Sequence, residues 1–274
     1  VELKKMNVTA IRNKGVHFIE ADLTHTITNF PENVDYIFHF AAQPGISATT
    51  PLKEYIKNNI VATQQLLNWT IQHNKHLKCF VNIATSSIYG KTATLPEDAA
   101  PEPISFYGTT KLAAEQLVMG QQRLGKLNAC SLRLYSVYGP RERPEKLYTK
   151  LITAIFNNTT FPLHQGSENH SRSFTYVGDI VSGIAKTIGK EDRINGEIIN
   201  LGAETTYTTQ EGITLMEKIT GKKVNITSIP PRPGDQLKTT AIIAKARKLL
   251  HYNPSTPFEE GLRQQVAWYK TRVL

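Results

Sequence analysis

Short apolar runs separated by long amphipathic ones constrain this chain more than any other feature. Residues 16–20, 34–40, 79–83, 129–134 and 197–201 read as strands, and residues 52–73 and 107–124 read as helices. Strands of this length, alternating with helices that lie between them in sequence, predict a parallel sheet covered on both faces. The expected fold class is therefore α/β with a doubly wound parallel sheet. From Pro140 onward the pattern loosens into loops rich in Pro, Asn and Gly with short helices. That shift predicts a smaller C-terminal lobe, with the main domain at 1–140 plus 174–203 and the lobe at 141–173 plus 204–274. No internal repeat or low-complexity tract interrupts either part.

Composition narrows the class of protein. At 274 residues, 40% hydrophobic and 20% charged, the chain can bury a sizeable core. Its net charge of +9 is spread along the sequence, densest at Arg141, Arg143, Lys146 and Lys150, which argues against a nucleic-acid interface and for mild attraction of anionic nucleotides. No apolar run is long enough to span a membrane, and the first residues lack a signal-peptide core, so a cytoplasmic protein is expected. Cys79 and Cys130 adjoin apolar stretches and read as buried free thiols. The eight histidines show no metal-ligand spacing, and no metal is expected.

The chemistry concentrates at Tyr107 and Lys111, which lie four residues apart and so project from one helix face. A lysine ammonium beside a phenol is expected to lower its pKa and make the pair a proton shuttle. Thr85-Ser86-Ser87 stands upstream, at the carboxyl end of the 79–83 strand, where open α/β sheets place their sites. Ser105 is a fair N-cap for the helix that carries the pair. Taken alone, a YxxxK pattern is weak; its ordered context raises it to a candidate site.

With these residues in place, TSSIYG, YGTTK, LRLYSVYGPRERP and SRSFTYVGD together resemble the extended short-chain dehydrogenase/reductase family, among them NAD-dependent epimerases and dehydratases and especially UDP-glucuronate 4-epimerases. The resemblance runs from about Gly15 to about Tyr269. It implies a Rossmann-like domain with a substrate-binding lobe, NAD as cofactor, a UDP-sugar as substrate and a homodimer built on a four-helix bundle. It assigns Thr85, Tyr107 and Lys111 to catalysis. The cofactor would be met by Asp22, Leu23, Phe40, Ala41, Ala42, Gln43, Asn59, Tyr135 and Val137, with Tyr107 and Lys111. The substrate would be met by Pro44, Gly45, Ser86, Ser136, Arg143, Arg172, Arg232 and Asp235. Read from the residues alone, Asp22 could equally be a helix N-cap, and Phe40–Ala42 simply tight strand packing.

The resemblance has departures. Dinucleotide folds of this kind carry a GxxGxxG turn after their first strand, to hold the pyrophosphate at a helix N-terminus. No such motif occurs here, and the chain is expected to be part of a longer protein or a fragment of one. Ser47 stands where uronate epimerases usually carry Arg, and Ala241-Ile242-Ile243-Ala244-Lys245 lacks the Asp usual in that segment. The acid/base pair that a dehydratase carries after its threonine is replaced by Ser86-Ser87. The expected activity is transient oxidation and re-reduction at C4 of a nucleotide sugar. The alternatives are a decarboxylase, dehydratase or reductase of the same family, or a catalytically silent nucleotide-binding homologue.

Overall fold

The computed structural model describes residues 2–28, 30–47 and 49–272. Four strands, Tyr36–His39, Cys79–Thr85, Ala129–Leu134 and Ile198–Leu201, form a wholly parallel sheet in that order. Along the second strand every residue is buried, as two-sided coverage requires. Side chains alternate between two cores. Cys79, Val81 and Ile83 face Ile180, Ile184, Ala246 and Leu250, whereas Phe80 faces Leu66, Leu67 and Val118. Helices thus cover both faces. One face takes the helices Val177–Ala185 and Ala244–Leu250, and the other takes Ala62–His73 and Phe106–Arg123. Cys79 and Cys130 are free and buried, as expected.

The segment at 16–20 is not a strand: it is irregular, with Val16 and Ile19 exposed. An extended segment needs a neighbour for its backbone groups, and no strand among the described residues pairs with it. Its apolar alternation therefore has no ladder to join.

The helix expected at 52–73 is continuous but changes winding. Residues Leu52–Tyr55 are α-helical, Ile56–Val61 form a π-helical stretch, and Ala62–His73 return to α. A second core lies beyond the sheet. Tyr138, Tyr148, Phe174 and Phe258 meet edge to face or stacked, with Leu151, Ile152, Ile213, Met216 and Leu262 around them. Residues from Ala241 to Tyr252 pack on the main sheet.

Candidate active site

The site begins where the strand Cys79–Thr85 ends. Thr85 caps the 3-10 turn Ser86–Tyr89, its hydroxyl accepting from the Ser87 N–H at 3.2 Å and donating to Ser87 Oγ at 3.3 Å. Ser105 caps the next helix, Phe106–Arg123, by accepting from the Gly108 N–H at 3.1 Å. That helix lies very close to the Thr85 turn. A Cβ on Gly108 would sit 2.6 Å from the Ser87 carbonyl oxygen and 3.2 Å from Pro103 Cβ. Glycine there is what lets Tyr107 come up to Thr85.

Burial pushes the Tyr107 phenol above its ordinary value, while the Thr85 hydroxyl, as a hydrogen-bond partner, and the Arg143 guanidinium pull it down. The lowering expected from Lys111 is absent. The cation that acts on the phenol is Arg143, and desolvation outweighs it. Lys111 is only 3% exposed and makes no hydrogen bond or ion pair among the described residues. Burial lowers its pKa to about 8, against the Glu115 carboxylate one turn further along, which raises it. Glu115 is itself held by Arg133 at 2.7 and 3.1 Å and by Ser131 at 2.9 Å.

Asn59 organises the opposite wall. It lies in the π-helical stretch, 1% exposed. Its Oδ1 accepts from the Gln43 N–H at 2.7 Å, and its Nδ2 donates to Thr110 Oγ1 at 2.9 Å and to the Gln43 carbonyl at 3.3 Å. One side chain therefore ties the loop after the strand Tyr36–His39 to the helix that carries Tyr107 and Lys111. The π turn is itself braced by Thr63, which donates to the Asn59 carbonyl at 2.7 Å and lies 2.8 Å from His39 Nε2. Thr63 has a single hydroxyl proton, already committed to that carbonyl, so His39 carries its hydrogen on Nε2. Burial holds His39 neutral, with a pKa of about 3, and the nearby Lys111 ammonium acts in the same direction.

Gly45 adopts φ +80°, with its carbonyl accepting from the Tyr55 hydroxyl at 2.7 Å. A Cβ there would approach Arg143 Nη2 at 3.1 Å, so Gly45 and Arg143 are neighbours. The rings of Tyr55 and Tyr107 are 6.4 Å apart. Pro44 and Gly45 are half-buried beside them.

A second polar centre forms around Asp235. Its carboxylate accepts from Arg232 at 2.7 Å and lies 3.6 Å from Arg172 Nη2 and 3.9 Å from His170 Nδ1. Arg172 Nη1, Arg232 Nε and His170 Nδ1 are buried without hydrogen-bond partners. His170 and Arg232 border a cavity of about 370 Å³ that Lys91, His164 and Gly234 also line. Gln236 fastens this loop to the first centre, donating to the Ser86 carbonyl at 3.3 Å and the Gly90 carbonyl at 2.8 Å.

The remaining expected residues fall in different surroundings. Leu23, Phe40 and Ala41 share an open apolar groove with Phe38 and Trp69. Asp22 caps its own turn by accepting from the Thr24 N–H at 2.9 Å, and that bond lowers its pKa; no helix follows it. Ala42 is half-buried between this groove and Gln43 in sequence. Ser136 and Val137 are half-buried in the segment that pairs with Thr175–Tyr176, the Ser136 carbonyl accepting from the Thr175 N–H at 2.8 Å. Tyr135 is 3% exposed, its ring within the sheet core next to Gly202. A bulky ring at the end of a buried strand gains more from that core than from an open cleft. Residues not foreseen are His39, Tyr55, Thr110, His170 and Gln236. Thr110 carried a signal, standing inside YGTTK, and His170 and Gln236 a weaker one, each flanking a motif residue.

Among the described residues no group of His, Cys, Asp and Glu could hold a metal, and no helix is long and apolar enough to cross a membrane.

Comparison with known proteins agrees with this geometry. A UDP-glucuronic acid 4-epimerase from Bacillus cereus, solved with UDP-glucuronic acid and NAD, superposes with a TM-score of 0.91 at 31% identity, covering 98% of this chain and 87% of that one. A Bacillus subtilis protein described as an uncharacterized UDP-glucose epimerase is 34% identical over 93% of this chain and 81% of its own length. The UDP-glucuronate 4-epimerase of Thermodesulfobacterium geofontis is 32% identical over 88% of this chain and 74% of its own. The model of the NAD dependent epimerase/dehydratase family matches residues 2–202, and the chain belongs to that family.

Proposed function

We propose that this protein is an NAD-dependent UDP-sugar 4-epimerase whose substrate is UDP-glucuronate. One observation carries the reading: Thr85, Tyr107 and a buried Lys111 without a partner among the described residues converge at the carboxyl end of a parallel strand, joined through Gln236 to a cavity edged by the unpartnered Nε of Arg232. The named relatives of the family support the choice of sugar nucleotide.

The residues present suit the nicotinamide half of NAD. Lys111 is a buried donor without an acceptor, which ribose hydroxyls would supply, and the backbone at Gln43 is fixed by Asn59 for close approach. Lys111, Tyr107, Gln43 and Val137 would hold that half; no glycine-rich phosphate turn occurs in the sequence. When bound, NAD supplies reversible hydride acceptance at the sugar carbon. As the phenolate, Tyr107 would accept the proton of the sugar 4-hydroxyl at its phenol oxygen and return it. Thr85 shares that sugar oxygen and fixes its direction. Lys111, protonated, favours the phenolate once an acceptor anchors it. Gly45 leaves room for the sugar to present either face. Ser86 and Ser87 lack the acid/base power for water elimination, which separates this reading from a dehydratase.

The second core would form the substrate-binding lobe, with Arg143, Arg172, Arg232 and Asp235 holding the nucleotide. The helices at 52–73 and Phe106–Arg123 would pair with their copies in a homodimer, since Ile56, Val61 and Phe106 stand exposed on them. A cytoplasmic location fits the free buried thiols. The test of function is the Tyr107→Phe variant, with product followed by NMR from UDP-glucuronate, UDP-glucose and UDP-N-acetylglucosamine. Turnover should fall by roughly 10²–10⁴-fold with nucleotide binding kept; undiminished turnover would remove Tyr107 from the mechanism.

A further inference from the structure

Two side chains of one helical segment hold the loop that follows the strand Tyr36–His39. The backbone of Gln43-Pro44-Gly45 has few polar groups to place, because proline carries no N–H. Both groups of Gln43 go to Asn59, the N–H at 2.7 Å and the carbonyl at 3.3 Å. The Gly45 carbonyl accepts from the Tyr55 hydroxyl at 2.7 Å. Among the described residues nothing else bonds to this backbone. Tyr55 ends the α-helical turn Leu52–Tyr55, and Asn59 lies in the π-helical stretch that follows. Each is 1% exposed, so neither side chain has room to swing. The position of the loop is therefore set from outside it, by two buried side chains on one stretch of helix.

Gly45 needs such an anchor. It stands at φ +80°, a conformation that glycine adopts as readily as its others, so the residue does not hold itself there. Anchored, it turns its bare Cα towards Arg143, where a Cβ would lie 3.1 Å from Nη2. The Tyr55 ring meanwhile lies 6.4 Å from that of Tyr107. Asn59 is fixed to Thr110 of the Tyr107 helix at 2.9 Å. The residues that grip the loop are thus the ones that register it against the Tyr107 helix. Tyr55 has a single hydroxyl proton, committed to the Gly45 carbonyl, and none is left to offer Tyr107. Its geometry suits placement and not proton relay.

We propose that Tyr55 is a positioning residue for the sugar end of the site: its hydroxyl presets the Gly45 peptide beside Tyr107 and Arg143, so that the sugar meets an ordered wall. This rests on the reading of the site as one for a UDP-sugar. The loop around Asp235 is held by other contacts. Arg232 and Arg172 meet Asp235, and Gln236 fastens that loop to the Ser86 carbonyl. Loss of the Tyr55 hydroxyl should therefore be felt by the sugar and not by the nucleotide.

The experiment uses Tyr55→Phe, which keeps the buried ring and removes only its oxygen. Calorimetry measures UDP-glucuronate and UDP binding to the wild-type and variant chains, melts compare the ligand-free proteins, and initial rates give KM and kcat. In the variant the loop must be ordered at the moment of binding. The Kd for UDP-glucuronate should rise about three- to tenfold, as for loss of one hydrogen bond, and KM with it. The Kd for UDP should change less than about twofold. Once substrate is bound the loop is ordered in both proteins, so kcat should stay within about twofold of wild type. Tm should fall by no more than about 4 °C. Unchanged UDP-glucuronate affinity overturns the proposal. So do equal losses for UDP and UDP-glucuronate, the signature of a merely structural tyrosine, and so does a fall in kcat at unchanged KM, the signature of a proton relay. If the wild-type chain binds neither ligand, the functional reading itself fails; normal wild-type binding with an unaffected Tyr55→Phe removes only this inference.

Discussion

Asn59→Leu isolates the contribution of one carboxamide to the site. Leucine keeps the same branched heavy-atom skeleton with bulkier tips, so the change removes hydrogen bonds and opens no cavity. Three bonds disappear, to the Gln43 N–H at 2.7 Å, the Gln43 carbonyl at 3.3 Å and Thr110 Oγ1 at 2.9 Å. A typical intramolecular bond contributes about 1 kcal/mol net, and a buried group left unpaired costs about 1–3 kcal/mol. Thr110 loses least, because its hydroxyl still donates to the Phe106 carbonyl at 2.7 Å. Gln43 is half-buried, so water recovers part of what its backbone loses. The loss should come to about 2–3 kcal/mol, a fall in Tm of about 4–12 °C for a chain of this size. Urea unfolding and a thermal melt measure it. Hydrogen exchange at the Gln43 amide supplies the local readout and should accelerate by roughly tenfold or more if that amide is freed. A melt within about 1 °C of wild type, with Gln43 still protected, would show that the loop is held by something other than Asn59.

Three further outcomes follow from the same geometry. Gly108→Ala gains about 1 kcal/mol of helix propensity but forces a Cβ to within 2.6 Å of the Ser87 carbonyl. The Tyr107 helix must therefore back away, and kcat for UDP-sugar epimerisation should drop by roughly ten- to a hundredfold with little change in Tm; wild-type kcat refutes the contact. Lys111 has a folded pKa of about 8, below the ordinary lysine value of 10.5. The unfolded chain binds the extra proton between these values, so stability should rise with pH from about 8 to 10.5, by on the order of 3 kcal/mol. Lys111→Met should abolish that rise and be more stable than wild type at pH 7, measured by urea unfolding across the range. His39 behaves likewise at acid pH: its folded pKa of about 3 lies below 6.5. Stability should therefore fall as pH drops from 6.5 towards 3, and His39→Gln should shrink the slope of that fall in acid titrations followed by circular dichroism.

Much of the fold was legible because burial on two faces writes itself into sequence. The strands Cys79–Thr85 and Ala129–Leu134 are continuous apolar runs between helices, and they lie side by side as that pattern requires. The same rule misled at 16–20, where apolar alternation was present but, among the described residues, no neighbouring strand was. Pairing is a property of two segments and cannot be read from one. Tyr107 and Lys111 were legible as a spacing, but their electrostatics were not. The pattern suggested a phenol lowered by its lysine, whereas depth of burial governs both groups. Asn59 was picked out only through the family resemblance. The π-helical turn that aims it at Gln43 has no signature in Ile56-Lys57-Asn58-Asn59-Ile60-Val61. Gln236 and Thr110 act across 146 and 51 residues of chain, a kind of contact that local patterns do not encode.

The buried charges of this protein divide into two kinds, and the division separates scaffold from site. Glu115 and Arg133 are almost fully buried, yet each is completely partnered: Arg133 also donates to the Tyr89 hydroxyl at 2.8 Å and the Glu97 carbonyl at 3.2 Å. Such a pair needs no ligand, and breaking it by Glu115→Gln should cost about 3–5 kcal/mol whatever is bound. Lys111 and the arginines around Asp235 are desolvated without full pairing, a condition that disfavours the ligand-free fold. An anion that accepts from these arginines relieves it, and so does an acceptor brought to Lys111. The two kinds predict opposite linkage. UDP at about a hundred times its Kd should raise stability by about 2.7 kcal/mol through mass action, and Arg172→Met should erase most of that gain while leaving the ligand-free protein close to wild type. Glu115→Gln should lower both the free and the bound protein equally. If instead Arg172→Met destabilised the ligand-free protein as strongly as Glu115→Gln does, the arginines around Asp235 would belong to the scaffold, and the unpartnered nitrogens would no longer mark a binding site.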